Sequence, residues 1–155
     1  MPFVSLGLSP MLSTPLARLG YTTPTPVQLK SIPIVLTGKD LLARAQTGTG
    51  KTAAFGLPMI DRLLVRGGAA AGMRKPRGLV LVPTRELALQ VHKSLSTYGV
   101  PANLRVTAIF GGVSIVPQKK ELVRGTDIIV ATPGRLLDHM RSLMLPVRLS
   151  GSYFA

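Results

Sequence analysis

A chain of 155 residues with 46% hydrophobic content has room for one domain with a core of ordinary size, which excludes a two-domain protein. Its 19 lysines and arginines against 6 acids give a formal charge of +13, which favours polyanionic partners such as nucleic acids, although charge alone leaves a solvated basic surface open. The absence of cysteine and the wide separation of His92 and His139 exclude disulfides, zinc sites and a cysteine nucleophile.

The distribution of apolar residues predicts a soluble, cytoplasmic protein with no membrane partner. The first basic residue is Arg18, so the N-terminus lacks the charged start of a signal peptide. Pro2, Pro10 and Pro15 interrupt any long apolar helix there. No other apolar run approaches the roughly 20 residues that a helix needs to span a bilayer.

In chain order, the first predicted elements are two helices, Pro10–Leu19 and Val27–Leu36, joined by a proline-rich turn. Apolar runs rich in branched residues then alternate with longer amphipathic stretches, a pattern typical of an α/β fold with a parallel sheet and crossover helices. The predicted strands are Asp40–Ala45, Gly78–Pro83, Leu104–Phe110 and Asp127–Ala131. All four are short and apolar, as strands buried on both faces are. Residues 66–78 are small and basic and predict a surface loop.

The sharpest local signal follows the first predicted strand and opens a helix. It consists of Ala45, Gln46, Thr47, Gly48, Thr49, Gly50, Lys51 and Thr52. Two glycines let the backbone curl so that its N–H groups face phosphate oxygens, and the helix N-terminus adds partial positive charge. Lys51 is then expected to reach the β- and γ-phosphates and Thr52 to hold Mg²⁺, although Ala45 replaces the glycine of the strict pattern. The alternative is a structural glycine-rich turn.

Upstream, residues 20–28 have the sequence Gly-Tyr-Thr-Thr-Pro-Thr-Pro-Val-Gln. A glutamine amide presents a donor beside an acceptor, which matches N6 and N7 of adenine, whereas Gln28 taken alone is typical of an ordinary residue at a helix start. Together with Phe3 and the phosphate loop, the string resembles the Q motif of bacterial-type DEAD-box ATP-dependent RNA helicases. The resemblance implies that Gln28 recognises adenine, that Phe3 packs against it, and that Tyr21 belongs to the nucleotide site.

Three later segments resemble further motifs of that family, each at the end of a predicted strand. Motif Ia is matched by Pro83, Thr84, Arg85 and Glu86, the glycine pair by Gly111 and Gly112, and motif Ib by Thr132, Pro133, Gly134 and Arg135. The resemblance implies that they grip the sugar–phosphate backbone of RNA with little sequence preference. Ligands bind at this edge of an α/β sheet, and free N–H groups at helix starts suit phosphate. Plain helix capping with solvated arginines is the alternative.

Hydrolysis needs a carboxylate that completes the Mg²⁺ shell and a group that orients water. The resemblance implies that both come from an Asp-Glu-Ala-Asp motif, which is absent from these 155 residues. The acids of the chain are Asp40, Asp61, Glu86, Glu121, Asp127 and Asp138. Only Glu86 follows a predicted strand, and it belongs to motif Ia. We therefore expect binding of ATP and Mg²⁺ without a complete catalytic set.

The resemblance predicts a partial RecA-like, P-loop NTPase sheet that is incomplete at its C-terminal end. We divide the chain into residues 1–37 with the Q motif, residues 38–142 as a partial ATP-binding domain, and an acid-free, divergent tail at residues 143–155. A frameshift, a misplaced stop codon or a genuine short form explains this tail. Three functions stay open: an ATP-dependent RNA helicase by descent, a non-catalytic nucleotide- and RNA-binding module, and a non-functional translation product with unpaired central strands.

Overall fold

The computed structural model describes residues 3–67, 74–143 and 153–154 of the chain. The chain divides into two compact units. The first comprises Met1–Gly68 and Thr97–Asn103, and the second comprises Ala69–Ser96 and Leu104–Ala155. None of the described helices is long and apolar enough to cross a membrane.

The first unit is helical in its described part. It contains α1 (Pro10–Arg18), α2 (Pro26–Leu36) and α3 (Lys51–Val65), with short 3₁₀ helices at Val4–Leu6 and Val100–Ala102. The two predicted N-terminal helices are confirmed to within a residue at each end. Each begins with proline, whose fixed φ and missing N–H suit the first helical position. The core of this unit is apolar and includes Leu12, Leu16, Ile32, Leu57 and Ile60.

A buried carboxylate fixes the start of α1. Asp61 lies in α3 with 5% of its surface exposed, and its Oδ1 accepts a hydrogen bond of 2.9 Å from the Ser9 backbone N–H. Ser9 is the residue that precedes α1. Asp61 therefore serves helix packing.

The predicted strand Asp40–Ala45 is wrong. These residues have no regular secondary structure, and no described residue forms a strand ladder with them. The side chain of Leu42 is 99% exposed. The apolar composition of this segment suits a buried strand, but a strand exists only where a neighbouring backbone supplies hydrogen bonds, and composition cannot provide that neighbour.

The second unit is a parallel sheet with helices. Its strands are β1 (Gly78–Leu81), β2 (Val106–Ile109), β3 (Ile128–Ala131) and β4 (Tyr153–Phe154), in the order β2-β3-β1-β4. Its helices are α4 (Arg85–Gly99, of which the last three residues belong to the first unit), α5 (Ile115–Arg124) and α6 (Pro133–Leu143). The three later predicted strands are thus confirmed with narrower bounds, and so is the α/β class.

The predicted surface loop and the predicted tail lie partly outside the described residues. In the predicted surface loop, residues 74–77 have no regular secondary structure, and residues 68–73 lie outside the described part. The predicted tail likewise lies outside it, apart from the end of α6 and β4. The β4 backbone pairs in parallel with β1, with Leu79 opposite Tyr153 and Val80 opposite Phe154.

The register of the sheet brings three strand ends to one level. Gly78 and Val106 both lie opposite Ile128, and Leu81 and Ile109 both lie opposite Ala131. Strands β1, β2 and β3 therefore begin and end together, and the three turns that follow them leave from the same edge of the sheet. The side chains that pack this sheet include Leu79, Ile109, Leu122, Ile129 and Leu136.

Asp127 organises the opposite edge of the sheet. Its side chain is 1% exposed and accepts hydrogen bonds from Arg74 Nη1 (2.8 Å), Arg77 Nη2 (2.9 Å) and the Arg105 backbone N–H (2.9 Å). Its carbonyl oxygen accepts the N–H of Gly78 at 3.0 Å, where β1 begins. One residue thus holds the starts of three strands in register.

We expect Asp127→Asn to lower the free energy of unfolding by about 2–3 kcal/mol, because the amide loses the negative charge between two guanidinium groups and replaces one acceptor oxygen with an NH2 group that cannot accept. The two arginine side chains are 23% and 22% exposed, which limits the loss. Urea unfolding measures the effect. Glu121→Gln is the matched control, since Glu121 pairs with Arg124 at the surface and is expected to cost less than about 1 kcal/mol. Equal losses in the two variants would contradict the role of Asp127.

Candidate nucleotide and nucleic-acid sites

The loop at residues 45–52 curls into the N-terminus of α3, which begins at Lys51. Gly48 and Gly50 have φ of +78° and +84°, the left-handed conformation that side chains disfavour. The Thr49 hydroxyl donates a hydrogen bond of 2.7 Å to the Gln46 carbonyl, and the Lys51 ammonium donates to the Ala45 carbonyl. The loop is therefore closed by its own side chains.

Three backbone donors of this loop have no partner among the described residues. Within residues 3–67 and 74–143, no group accepts a hydrogen bond from the N–H of Gly48, Thr49 or Gly50. A curled loop of free N–H groups at the start of a long helix is a chemical match for phosphate. Thr52 is partly buried in the first turn of α3, where its hydroxyl is available as a hard oxygen ligand.

Gln28 contacts the 45–52 loop through a hydrogen bond. Its side chain is 2% exposed, its Oε1 accepts the Thr25 N–H at 3.0 Å, and its Nε2 donates to the Gly50 carbonyl at 3.2 Å. The first bond belongs to the cap of α2, as expected for a residue near a helix start. The second bond was not foreseen from the sequence, and it couples the Q-motif segment to the loop.

The two predicted aromatic residues lie together in the same unit. Phe3 is 2% exposed and packs edge-on against Tyr21, with 6.5 Å between ring centroids. Tyr21 packs in the same way on Tyr98 at 5.7 Å, and their hydroxyl groups share a hydrogen bond of 2.6 Å. Phe3 thus has Tyr21 as an aromatic neighbour, a contact that the sequence did not indicate.

In the second unit, the predicted backbone-binding residues follow the aligned ends of β1, β2 and β3. Thr84 caps α4, since its Oγ1 accepts the Leu87 N–H at 3.3 Å, and Glu86 lies exposed in the first turn of that helix. Thr132 immediately precedes α6, whose first residue is Pro133. Both helix starts agree with the predicted positions. A side chain at Gly134 would meet no atom within 4 Å, so this end of α6 is open.

The glycine pair lies in a loop against Arg85. The Arg85 guanidinium stacks over the Phe110 ring at 5.1 Å, and its Nη1 lies 3.7 Å from where a Gly112 Cβ would be. Gly112 has φ of +79°. In the described part of the chain, the N–H groups of Gly111 and Gly112 have no acceptor. Adjacent free donors beside a guanidinium are suited to an anion.

Arg135 holds the other end of the same loop. Its side chain is 13% exposed, its Nη2 donates to the Val113 carbonyl at 2.9 Å, and its Nε lies 3.7 Å from Asp138. Its Nη1 is 3.5 Å from Gln118 Oε1. The guanidinium therefore contributes both to loop geometry and to local positive charge.

Gln118 and His139 are site residues that the sequence analysis missed. Gln118 is 8% exposed and donates from Nε2 to the Phe110 carbonyl at 2.9 Å. His139 is fully buried, and its Nε2 donates to Gln118 Oε1 at 3.1 Å. Burial lowers the pKa of His139 below its ordinary value of 6.5, the charges of Arg135 and Lys119 lower it further, and Asp138 raises it.

Four of the six acids are engaged in other contacts. Asp61 and Asp127 are buried in the contacts given above. Glu121 pairs with Arg124 at 3.1 Å, and Asp138 lies beside Arg135. Asp40 is exposed in the segment that precedes the phosphate loop. The described residues contain no group of three or more metal-ligating side chains, so Thr52 has no carboxylate cluster to assist it.

Comparisons with known proteins identify the family and the fold. A family model, DEAD/DEAH box helicase, matches residues 25–150. The chain is 47% identical over 146 residues to DEAD-box ATP-dependent RNA helicase 52A of Oryza sativa subsp. japonica, covering 88% of this chain and 24% of the relative. It is 44% identical over 144 residues to ATP-dependent RNA helicase RhlB of Xanthomonas campestris pv. campestris, covering 91% and 25%. The chain thus spans about a quarter of the length of these relatives.

A solved structure of the RNA-helicase Prp28 from Chaetomium thermophilum bound to ADP has a similar fold. The TM-score is 0.81 at 40% identity, and the match covers 93% of this chain and 35% of that chain. This similarity confirms the expectation of a RecA-like α/β fold.

Gly50→Ala is expected to destabilise the first unit more than Gly48→Ala. Left-handed backbone costs an alanine about 1–2 kcal/mol at either position. A Cβ at Gly50 also overlaps the Gln28 amide nitrogen, whereas one at Gly48 meets no atom within 4 Å. Displacing Gln28 adds about 1 kcal/mol for each hydrogen bond lost. Urea unfolding of the two variants tests this order, and a Gly48 variant as unstable as the Gly50 variant would show that Gln28 does not brace the loop.

His139 is expected to make the second unit acid-sensitive. Its pKa is lowered in the folded chain, so as the pH falls below 6.5 the unfolded chain takes up a proton before the folded chain does. Stability therefore declines with falling pH, by up to about 1.4 kcal/mol per pH unit, until the folded pKa is reached. His139→Gln should flatten this decline in urea-unfolding measurements between about pH 7.5 and about pH 5. His92→Gln controls for removing an imidazole, and an unchanged slope in the His139 variant would disprove the assignment.

Proposed function

Because the chain belongs to the DEAD/DEAH box helicase family, we propose that it binds an adenine nucleotide at residues 45–52 and an RNA backbone at the turns after β1, β2 and β3. One observation carries the proposal. The N–H groups of Gly48, Thr49 and Gly50 have no acceptor among the described residues, and Gln28 holds the loop that presents them. Free donors at the start of α3 are suited to an anionic acceptor, and a nucleotide phosphate is the acceptor that we propose.

Side chains around the loop complete the proposed nucleotide site. Lys51 supplies positive charge beside the phosphates, and Thr52 supplies a hydroxyl for Mg²⁺, which would neutralise the phosphate oxygens when bound. Gln28 retains one lone pair on Oε1 and one N–H on Nε2 after its bonds to Thr25 and Gly50. These are the groups that recognition of adenine requires. The similar structure of Prp28 is bound to ADP, which supports the same ligand class here.

The proposed RNA contact uses backbone donors rather than base readout. The N–H pair of Gly111 and Gly112, the open start of α6 at Gly134, and the guanidinium of Arg85 are suited to phosphate oxygens. None of these groups distinguishes one base from another. We therefore expect affinity for many RNA sequences, with a strong dependence on salt because each neutralised phosphate releases counterions.

Turnover is not expected of the 155-residue chain by itself. Two of its acids are buried in structural contacts, two more lie beside arginines, Glu86 is in the first turn of α4, and Asp40 is exposed in an unpaired segment. Neither the Mg²⁺ shell nor the attacking water then has a carboxylate partner. ATP-dependent RNA helicase is the activity named for relatives about four times as long, and this chain is proposed to carry their nucleotide- and RNA-binding elements.

Calorimetric titration with MgADP and MgATP tests the proposed site. Thr52→Ala should weaken Mg²⁺-dependent binding at least about tenfold, a loss of about 1.4 kcal/mol. Thr37→Ala, whose hydroxyl donates to the Ile34 carbonyl at the end of α2, is the matched control and should bind normally. Gln28→Ala should remove the preference for adenine over guanine nucleotides. Normal binding by the Thr52 variant would contradict the site.

Phosphate release distinguishes the competing functions. The proposal predicts nucleotide binding with no RNA-stimulated release of phosphate by the purified chain. Release that depends on Lys51 would show that the chain is an active enzyme and would contradict the proposal. Absence of nucleotide binding would favour a non-functional product.

A further inference from the structure

We infer that Gln118 is a positioning residue for RNA: its amide sets the geometry between the glycine pair and the start of α6, and neutral His139 holds it there. The inference rests on the proposed RNA contact and adds to it a residue outside the segments matched to motifs above. Gln118 lies in α5, between the glycine pair and motif Ib in the sequence.

Two hydrogen bonds enclose the glycine pair. Gln118 Nε2 donates to the carbonyl of Phe110, immediately before Gly111, and Arg135 Nη2 donates to the carbonyl of Val113, immediately after Gly112, each at 2.9 Å. Both ends of this short loop are therefore held by side chains. The direction in which its free N–H groups point depends on these two bonds.

The two enclosing side chains are connected to each other. Gln118 Oε1 lies 3.1 Å from His139 Nε2 and 3.5 Å from Arg135 Nη1. A movement of Gln118 thus disturbs the loop directly at Phe110 and indirectly through Arg135. Since α6 carries Arg135 and begins at Pro133, the same amide fixes the loop relative to this helix start.

Burial makes the arrangement rigid. Gln118 is 8% exposed, His139 is fully buried, and the Arg135 side chain is 13% exposed. Buried polar groups that lose a partner have no water to replace it, so each group is constrained to its present bonds. Successive phosphates of an RNA strand have a spacing set by covalent bonds, and rigid anion sites would bind them at little entropic cost.

Protonation of His139 would loosen this arrangement. In the neutral ring Nε2 donates to Gln118, and Nδ1 has no hydrogen-bond partner in the described part of the chain. A proton on Nδ1 would be buried without an acceptor, beside the charges of Lys119 on α5 and Arg135 on α6, with only Asp138 to offset them. The proposed RNA contact is therefore expected to weaken in acid, because protonation of His139 disturbs Gln118.

Binding of a fluorescein-labelled oligouridylate to the whole chain tests the inference. Gln118→Met keeps the volume but removes both polar groups, and we expect at least a tenfold loss of RNA affinity. Gln118→Glu keeps an acceptor for His139 and Arg135 but replaces the donor to Phe110 with an oxygen that repels the Phe110 carbonyl, so we expect it to lower RNA affinity as well. MgADP affinity should stay unchanged in both variants. Leu122→Val is a control that perturbs the buried face of α5 without touching the amide, and it should bind RNA normally.

The pH profile separates positioning from a structural role. The RNA affinity of the wild type should fall between about pH 7.5 and about pH 5.5 by a larger factor than that of His139→Gln. Normal RNA affinity in both Gln118 variants would overturn this inference without affecting the proposed function. Equal pH profiles of RNA affinity in the wild type and in His139→Gln would do the same. A loss in Leu122→Val as large as that in Gln118→Met would overturn it as well. Failure of the wild type to bind RNA would contradict the proposed function, and this inference with it.

Discussion

The first turn of an α-helix contains backbone N–H groups that have no acceptor within the helix, and this constraint determines where both units can bind a ligand. Helices α3, α4 and α6 each begin immediately after a turn that carries a family motif. Thr84 satisfies one donor of α4, and Pro133 removes one from α6. The donors that remain, with those of the glycine-containing loops, are the groups that a phosphate can satisfy. The proposed nucleotide and RNA sites thus have a common physical origin.

Local signals allowed the turns and helix starts to be predicted from the sequence. Glycines at Gly48, Gly50 and Gly112 adopt the left-handed conformations for which glycine is suited, and the threonine and proline positions mark the starts of α4 and α6. The strand expected at Asp40–Ala45 failed because strand formation depends on a second backbone distant in sequence. A helix start is encoded by its own residues, whereas a strand is not.

Long-range polar contacts were the other part that the sequence did not predict. Gln28 was interpreted as a group for adenine or as an ordinary helix residue, but it also bonds to Gly50. Gln118 had a detectable signal, since it shares one face of α5 with Ile115 and the buried Leu122 at helical spacing. A polar residue on a buried face requires a partner, yet neither the Phe110 carbonyl nor His139 can be deduced from spacing along α5.

The central claim is that unpaired backbone N–H groups of the 45–52 loop bind nucleotide phosphate. The most direct measurement is a titration of the ¹⁵N-labelled chain with MgADP, followed through the amide resonances of individual residues by NMR. The account predicts that the amide protons of Gly48, Thr49 and Gly50 shift downfield with a common saturation curve, because each gains a charged acceptor. Saturable binding that leaves these three resonances unchanged would contradict it.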